Sequence, residues 1–297
     1  MLDGIVWFFV NIAQAFVNFG YAVTHPASWL DWSDKENLAR FIYYGASVEF
    51  FFVLLTAFLL LTALGLWKRA VLWGAVRVLE TFANGIGRIV AWAGLIMVLQ
   101  QIMIVFLQRI FRVSSIELAP LGYGFARDLS WWSEELKLYN AAIICLAVSY
   151  TFIQGGHVRV DLIYAVVRHR TRKIIDIIGA LVFMMPMAVL IWLYAWFFMW
   201  RHLVVPNPSA SATLERMMMQ ARAMRWNVET TSFSPNGFDA YFLFKVLMVI
   251  FAGMVFLQAI AVFYRSYLGL VEGEDADTRY LDKDTLGESD DAFDGAH

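Results

Sequence analysis

The residues best placed for chemistry lie in one short turn, Gly155-Gly156-His157-Val158-Arg159-Val160-Asp161. Two glycines followed by alternating polar side chains raise the question of phosphate binding. A phosphate loop follows a strand and carries a Lys-Ser or Lys-Thr pair, and this turn has neither. On residue types alone, we expect the glycines to end a helix and the turn to hold Arg159 and Asp161 in a polar contact at the membrane interface, which favours a helix C-cap with a basic anchor.

Five histidines are the other candidates for catalysis or metal binding, and all lie in loops or at predicted helix ends: His25, His157, His169, His202 and His297. A membrane haem subunit needs axial ligands within its helices. The sequence contains no HExxH, CxxC or Walker motif. Its single cysteine, Cys145, cannot form an intrachain disulfide. We therefore predict no catalytic, cofactor-binding or metal-binding residues and no enzyme activity.

Two charged residues fall within apolar segments, where charge is costly and often functional. For Glu49, about nine residues into its segment, the sequence leaves open a hydrogen-bonded interhelical carboxyl and a proton or ion relay. Lys245 lies near a segment end and is expected to extend its amine to the interface. Gln100, Gln101 and Gln258 are expected to hold helices together.

The elements that position these residues follow from the composition. Of 297 residues, 60% are hydrophobic and 16% are charged, a more apolar balance than soluble domains have. The formal net charge of -2 argues against a nucleic-acid partner. About 20 apolar residues span the hydrocarbon core, and only helices satisfy their own backbone there. Six blocks therefore predict an all-α membrane protein with six transmembrane helices: Ile5–Val23, Phe41–Trp67, Ile89–Leu107, Leu136–Ile153, Ile174–Trp200 and Ala240–Tyr264.

Basic residues predict the orientation. Lys and Arg concentrate in the connections 68–88 and 159–173, which lie on one side of the membrane if six helices alternate. The positive-inside rule places that side, and both termini, in the cytoplasm. The first block also permits a helix lying on the surface, because Asn11, Gln14 and Asn18 share one face.

Several local features are predicted at the helix ends. Ser33 and Glu36 have capping-box spacing before the second helix. Trp131, Trp132 and Ser133 open the fourth helix, with Glu134 and Glu135 in its first turn complementing the helix dipole. Two short amphipathic surface helices are expected. One is Val71–Phe82 on the cytoplasmic face, with an apolar stripe of Val71, Leu72, Ala75, Val78, Leu79 and Phe82. The other is Ser211–Trp226 on the outer face, whose methionine stripe is expected to pack or to dock a partner.

The tail from Val271 to His297 holds ten acidic and two basic residues and is predicted to be disordered. The domain division is then 1–84, an extension of two helices and the first surface helix; 85–268, a four-helix core; and 269–297, the acidic tail.

The segment from Gly155 to Leu162 resembles the sequence signature of DctQ, the small membrane subunit of tripartite ATP-independent periplasmic (TRAP) transporters. Arg109-Ile110-Phe111 is similar to the arginine–aromatic pair that closes one helix in that family. Trp132, Glu134, Glu135 and Leu136 are similar to the residues that open the next helix. The resemblance covers roughly residues 89–264, and its four spanning helices correspond to the last four here.

The resemblance implies a noncatalytic scaffold subunit in the bacterial inner membrane. Its partners would be a large permease subunit, which holds the substrate and sodium sites, and a periplasmic substrate-binding protein that delivers an organic acid; membrane lipids surround it. The residues then expected to fix helix ends or contact the large subunit are Arg109, Glu134, Glu135, Gly155, Gly156, His157, Arg159, Asp161 and Glu49.

The chain departs from the family pattern in its two extra N-terminal helices, its longer outer loop Val204–Phe238 and its acidic tail. Two alternatives remain open on sequence. One is a membrane anchor for a respiratory or redox complex, which the aromatic residues fit but the absent haem ligands do not. The other is a self-sufficient channel or carrier, for which few polar intramembrane residues align.

Overall fold

The computed structural model of the protein describes residues 2–118, 125–155, 167–201, 203–204, 206–220, 224, 238 and 240–284. The helices are α1 Leu2–Thr24, α2 Ala27–Leu30, α3 Lys35–Tyr44, α4 Val48–Trp67, α5 Arg69–Arg109, α6 Leu129–Gln154, α7 His169–Trp200, α8 Leu214–Gln220, α9 Phe242–Glu272 and α10 Asp275–Thr278. A hairpin of β1 Ser115–Leu118 and antiparallel β2 Phe125–Asp128, which the sequence reasoning missed, joins α5 to α6. Six helices, α1, α4, α5, α6, α7 and α9, are long and apolar enough to cross a membrane, which confirms the predicted fold class.

The second predicted block contains two helices. Residues Gly45 to Ser47 break it, and the Ser47 side chain caps α4 by accepting a hydrogen bond from the Phe50 amide at 3.2 Å. The cap of α3 is Asp34, which accepts from the Glu36 amide, so the predicted capping box starting at Ser33 is wrong. Glu49 consequently lies in the first turn of α4, where a carboxylate complements the helix dipole, rather than deep in a span.

Helix α5 differs most from its prediction. The expected surface helix Val71–Phe82 and the third spanning helix form one helix of 41 residues, about 60 Å long at 1.5 Å per residue. Its buried face is also rotated from the predicted stripe. Val78 and Phe82 are 69% and 49% exposed, whereas Val76 and Glu80 are buried.

Contacts with α9 explain this rotation. Leu72, Trp73 and Val76 of α5 form a buried cluster with Tyr264 and Leu268 of α9. A helix lying flat on the bilayer would turn its most apolar face to lipid. Because this part of α5 packs against α9, a neighbouring face is buried instead.

Helix α9 is the centre of the bundle and packs against α5, α6 and α7. A third of its apolar stretch (33%) is buried within the chain, compared with 6% of that of α1. Helix α1 packs on α4, where the rings of Trp7 and Phe8 meet Phe52 at 5.3 and 5.6 Å. The Trp29 indole of α2 also donates to the Ala22 carbonyl at 2.9 Å. The N-terminal helix is therefore held mainly by α4, and most of its surface is exposed.

Helix α7 contains a π-helical segment, Gly179–Met184, directly before Pro186. Proline has no amide hydrogen, and its ring clashes with the carbonyl four residues earlier in a regular α-helix. The wider π turn accommodates that clash and lets α7 continue to Trp200.

A cap of short elements covers the N-terminal end of α4 and the C-terminal end of α7. The Trp196 and Trp192 indoles donate hydrogen bonds of 2.8 Å to the carbonyls of Ile42 and Gly45. Met217 of α8 packs into the same buried cluster, while Met219 is 81% exposed. Helix α8 has seven residues and is shorter than the predicted helix Ser211–Trp226. Most of the predicted helix after Gln220 lies outside the described residues.

Candidate subunit-interface site

The paired glutamates of α6 link that helix to its neighbours. Because α6 begins at Leu129, after Asp128 at its N-cap, Glu134 and Glu135 lie in the second turn. Their predicted pairing with the helix dipole in the first turn is therefore wrong. Glu134 is buried and accepts a hydrogen bond from the Phe238 amide at 2.8 Å. Glu135 accepts from the Gln100 amide nitrogen on α5 at 3.1 Å. Both carboxylates thus join separate parts of the chain.

Lys245 does not extend to the interface as predicted. Its side chain is buried, at 2% exposure. The ammonium lies 4.4 Å from the Phe198 ring centroid and 5.7 Å from that of Tyr241. Aromatic faces attract cations, so this lysine joins α9 to α7 near the N-terminal end of α9.

Arg109 is the last residue of α5 and is exposed. A cation there complements the negative end of the helix dipole. Ile110 and Phe111 beside it are 63% and 66% exposed. Arg109 has no hydrogen bond or ion pair within the described part of the chain, which leaves it available at the helix end.

Gly155 ends α6 as the sequence predicts. Its φ of +77° is in the left-handed region, and its amide donates to the Phe152 carbonyl at 3.3 Å. A residue with a side chain is disfavoured in that conformation. The rest of the signature turn, Gly156, His157, Arg159 and Asp161, lies outside the described residues, and its roles stay predictions.

Sequence reasoning missed a polar cluster that the acidic segment after α9 forms with α5, α6 and α7. The acidic segment does not begin as disordered chain at Val271. Helix α9 continues to Glu272, α10 follows, and the chain has a defined path to Asp284. Asp277 lies 2.7 Å from the Lys173 ammonium and 3.0 Å from His169 Nε2. Tail residues 285–297 lie outside the described residues.

Arg88 of α5 forms ion pairs with two more carboxylates of that segment. Its guanidinium lies 2.8 Å from Asp282 and 2.6 Å from Asp284. Hydrogen bonds from Arg88 lower the pKa of both carboxyl groups below its ordinary value. Burial tends to raise the pKa of Asp277, but hydrogen bonds from Lys173 and His169 outweigh burial and lower it.

The same end of the bundle holds a buried ion pair. Two nitrogens on one edge of the Arg265 guanidinium, Nε and Nη2, donate to Glu80 of α5 at 2.6 and 2.5 Å. The sequence pattern places Glu80 off the predicted apolar stripe. A local pattern shows that a residue is polar, but it does not reveal that its partner is a cation on a distant helix. A bidentate arginine–carboxylate pair fixes orientation as well as distance, so this pair sets the rotation of α5 against α9.

The charged side chains of this cluster pair with one another across the ends of different helices. Such pairing fixes the helices relative to one another, as a structural support requires. Within the described residues, no group of three or more His, Cys, Asp or Glu side chains is arranged to hold a metal ion. The glutamates near the N-terminal end of α6 and the ion pairs at the opposite end of the bundle hold the helices at both ends.

Comparison with known proteins identifies one family. The model of "Tripartite ATP-independent periplasmic transporters, DctQ component" matches residues 121–269, about half of the chain. Curated proteins and solved structures gave no match. The match includes α6, α7, α8 and nearly all of α9, together with the signature turn, while α1 to α5 and Arg109 precede it.

The matching family is a transporter component, which favours transport over the respiratory-anchor alternative. The extra N-terminal helices of the structure are compatible with the predicted extension. The chain belongs to the DctQ family and is the small, multi-pass membrane subunit of a TRAP transporter.

Proposed function

We propose that this chain is the scaffold that braces the large permease subunit of a sodium-coupled transporter for organic acids. It lies in the bacterial inner membrane with both termini in the cytoplasm. The substrate and sodium sites belong to the large subunit, and a periplasmic binding protein delivers the substrate. Family membership supports the pairing with these partners.

One observation carries the scaffold role: an exposed amide in the middle of an apolar helix face. Gln101 of α5 is exposed, and the adjacent Ile102 and the nearby Leu99 and Val105 are 48%, 58% and 45% exposed. Its neighbour Gln100 has a partner in Glu135, but Gln101 has no hydrogen-bond partner in the described part of the chain. An amide facing hydrocarbon is costly, whereas one facing a polar group on another helix stabilises association. The exposed face around Gln101 therefore suits a protein neighbour better than lipid.

The orientation is supported by the positions of the basic residues. Lys68, Arg69 and the Arg168–Lys173 stretch lie at helix ends on one side of the bundle, as the alternation of spans requires. The positive-inside rule assigns that side to the cytoplasm.

Co-purification with the tagged large subunit in nanodiscs tests the proposed interface. Gln101→Leu should lower recovery of the complex about three- to tenfold, because an interhelical amide bond contributes about 1–2 kcal/mol at most. Gln108→Leu is the matched control, since Gln108 is also exposed on α5 but lies at its end. Equal recovery of the Gln101→Leu complex and wild type would remove this face from the interface.

The signature turn has its own test. An Arg159→Ala, Asp161→Ala double variant should lower complex assembly or substrate uptake. Substrate binding by the soluble periplasmic component should not change, because that protein folds separately. Normal assembly and normal uptake would contradict a role for this turn.

A further inference from the structure

We propose that α5, α6, α7 and α9 together form a binding groove for an acidic peptide, whose ligand is the chain's own segment 275–284. We call this segment the acidic clasp. The family match ends at residue 269, so the clasp and α5 both lie outside it, while the other walls of the groove lie inside.

Carboxylates of the clasp reach three different helices. Asp277 pairs with Lys173 and His169 of α7 at 2.7 and 3.0 Å. Asp282 and Asp284 pair with Arg88 of α5. The Tyr150 hydroxyl of α6 donates to Asp284 at 2.8 Å. A segment that only continued the chain after α9 would not be expected to form ion pairs and hydrogen bonds with three other helices.

The groove also binds the peptide backbone. The amide nitrogens of Asn84 and Gln154 both donate to the Asp282 carbonyl, at 2.8 and 3.2 Å. The Asp284 amide in turn donates to the Gln154 side-chain carbonyl at 2.9 Å. Asn84 is fully buried, at 0% exposure, so its side-chain amide is enclosed where it meets the clasp. Backbone hydrogen bonds combined with side-chain contacts are typical of peptide recognition.

An aromatic contact fixes the middle of the clasp. Tyr280 has a φ of +57°, which is uncommon for a residue with a side chain. Its ring lies 4.9 and 5.1 Å from the guanidinium carbons of Arg77 and Arg279, and 5.6 Å from the ring of Trp73. Such a backbone conformation persists only where its surroundings impose it, so tertiary contacts hold this segment.

The charges of the groove select an acidic ligand. Two carboxylates line its walls near the clasp: Glu80 is paired with Arg265 of α9, and Glu272 accepts from the Trp73 indole and pairs with Arg279 of the clasp itself. Among the described residues, Arg88 and Lys173 have ion-pair partners only in the clasp. Without the clasp the groove would present two unneutralised cations.

The first test measures release of the clasp in the full-length protein in nanodiscs. Trypsin cleaves after Arg279 and Lys283, both within the clasp, and proteolysis follows the population of the opened state. Arg88→Gln and Lys173→Gln should each speed cleavage at these two sites by about twofold to fivefold, as expected for partly exposed ion pairs.

Arg69→Gln is the matched control, because Arg69 lies on the same helix and has no ion pair within the described residues. It should cleave at the wild-type rate. If Arg88→Gln and Lys173→Gln also cleave at the wild-type rate, the clasp is not held by this groove and the proposal fails.

The second test asks whether the groove is a binding site. A fluorescent peptide with the sequence of residues 274–284 is added to the full-length Asp282→Asn, Asp284→Asn variant, whose own clasp is weakened. We expect saturable binding that is stronger than to wild type and is lost when Arg88→Gln is added. A Glu274→Gln, Asp275→Asn variant, which neutralises two carboxylates without side-chain contacts in the described part of the chain, should bind the peptide as weakly as wild type. Absence of saturable binding to the weakened variant would overturn the assignment of a peptide site.

Discussion

At the residue scale, identical side-chain types have different roles according to their neighbours. Glu134 and Glu135 are adjacent in sequence, yet one accepts from a loop amide and the other from a glutamine on α5. Sequence identified both as structural, since their types and spacing resemble a known signature. It did not identify Glu80, because its partner Arg265 is 185 residues away.

The Glu80–Arg265 pair should be the most sensitive polar contact in the bundle. Arg265→Gln should destabilise the fold by roughly 3–5 kcal/mol, because it leaves the buried Glu80 carboxylate without its partner. Glu80→Gln should cost less, because Arg265 is partly exposed and also donates to the carbonyls of Asp277 and Arg279. Thermal unfolding in detergent measures this effect, and a double-mutant cycle isolates the pair. If the effects of the two single changes simply add in the double variant, the pair is not coupled as described.

The clasp carboxylates predict a pH dependence. The pKa values of Asp277, Asp282 and Asp284 are lowered in the folded protein. A lowered folded pKa contributes stability that is present above the unfolded value, about 3.9, and is lost as pH falls through the folded pKa. The clasp should therefore stay bound at neutral pH and release only in acid.

Carboxyl carbon NMR of labelled protein in nanodiscs tests this pH dependence. Asp282 and Asp284 should titrate at lower pH in the wild-type protein than in the Arg88→Gln variant, which lacks their ion-pair partner. Titration of both carboxyl groups at the same pH in the two proteins would show that Arg88 does not hold the clasp.

At the element scale, composition predicted the six spanning helices but not their ends or rotations. Apolar length is a strong local signal, so α6, α7 and α9 lie close to their predicted blocks. Two predicted helices are joined in α5, and the face of α5 that is buried differs from the prediction. Both features depend on packing against Tyr264 and Leu268 of α9. No local pattern contains that information. The hairpin between α5 and α6 was missed because strands of four residues leave a weak periodic signal.

Close packing of α5 on α6 gives a prediction with a matched control. A Cβ at Gly87 would lie 2.3 Å from Tyr150 of α6, whereas a Cβ at Gly85 would meet nothing within 4 Å. Gly87→Ala should force the helices apart and destabilise the protein by roughly 1–3 kcal/mol. Gly85→Ala should be neutral or slightly stabilising, because alanine favours helix by about 1 kcal/mol over glycine. Equal melting temperatures for the two variants would contradict this close contact between α5 and α6.

At the scale of the whole molecule, the chain combines a family core with an N-terminal addition. Helix α5 runs through the predicted domain boundary at residue 84, and its first half packs on α9. A deletion that tests the extension should therefore end before α5. It should also spare α3, whose Leu38 and Ile42 are buried against Trp196 of α7. We expect removal of residues 1–24 to leave a folded protein with weaker recovery of the complex, because α1 is mostly exposed and offers an apolar face to a neighbour. Unchanged recovery in the co-purification assay would show that α1 does not contact the large subunit.

The central claim is that this chain supports transport without performing it. Proteoliposomes containing this chain alone, the large subunit alone, or both together, each supplied with the substrate-loaded periplasmic protein and a sodium gradient, test it most directly. We expect uptake only when both membrane subunits are present. Uptake by this chain alone, or full uptake by the large subunit without it, would contradict the scaffold role.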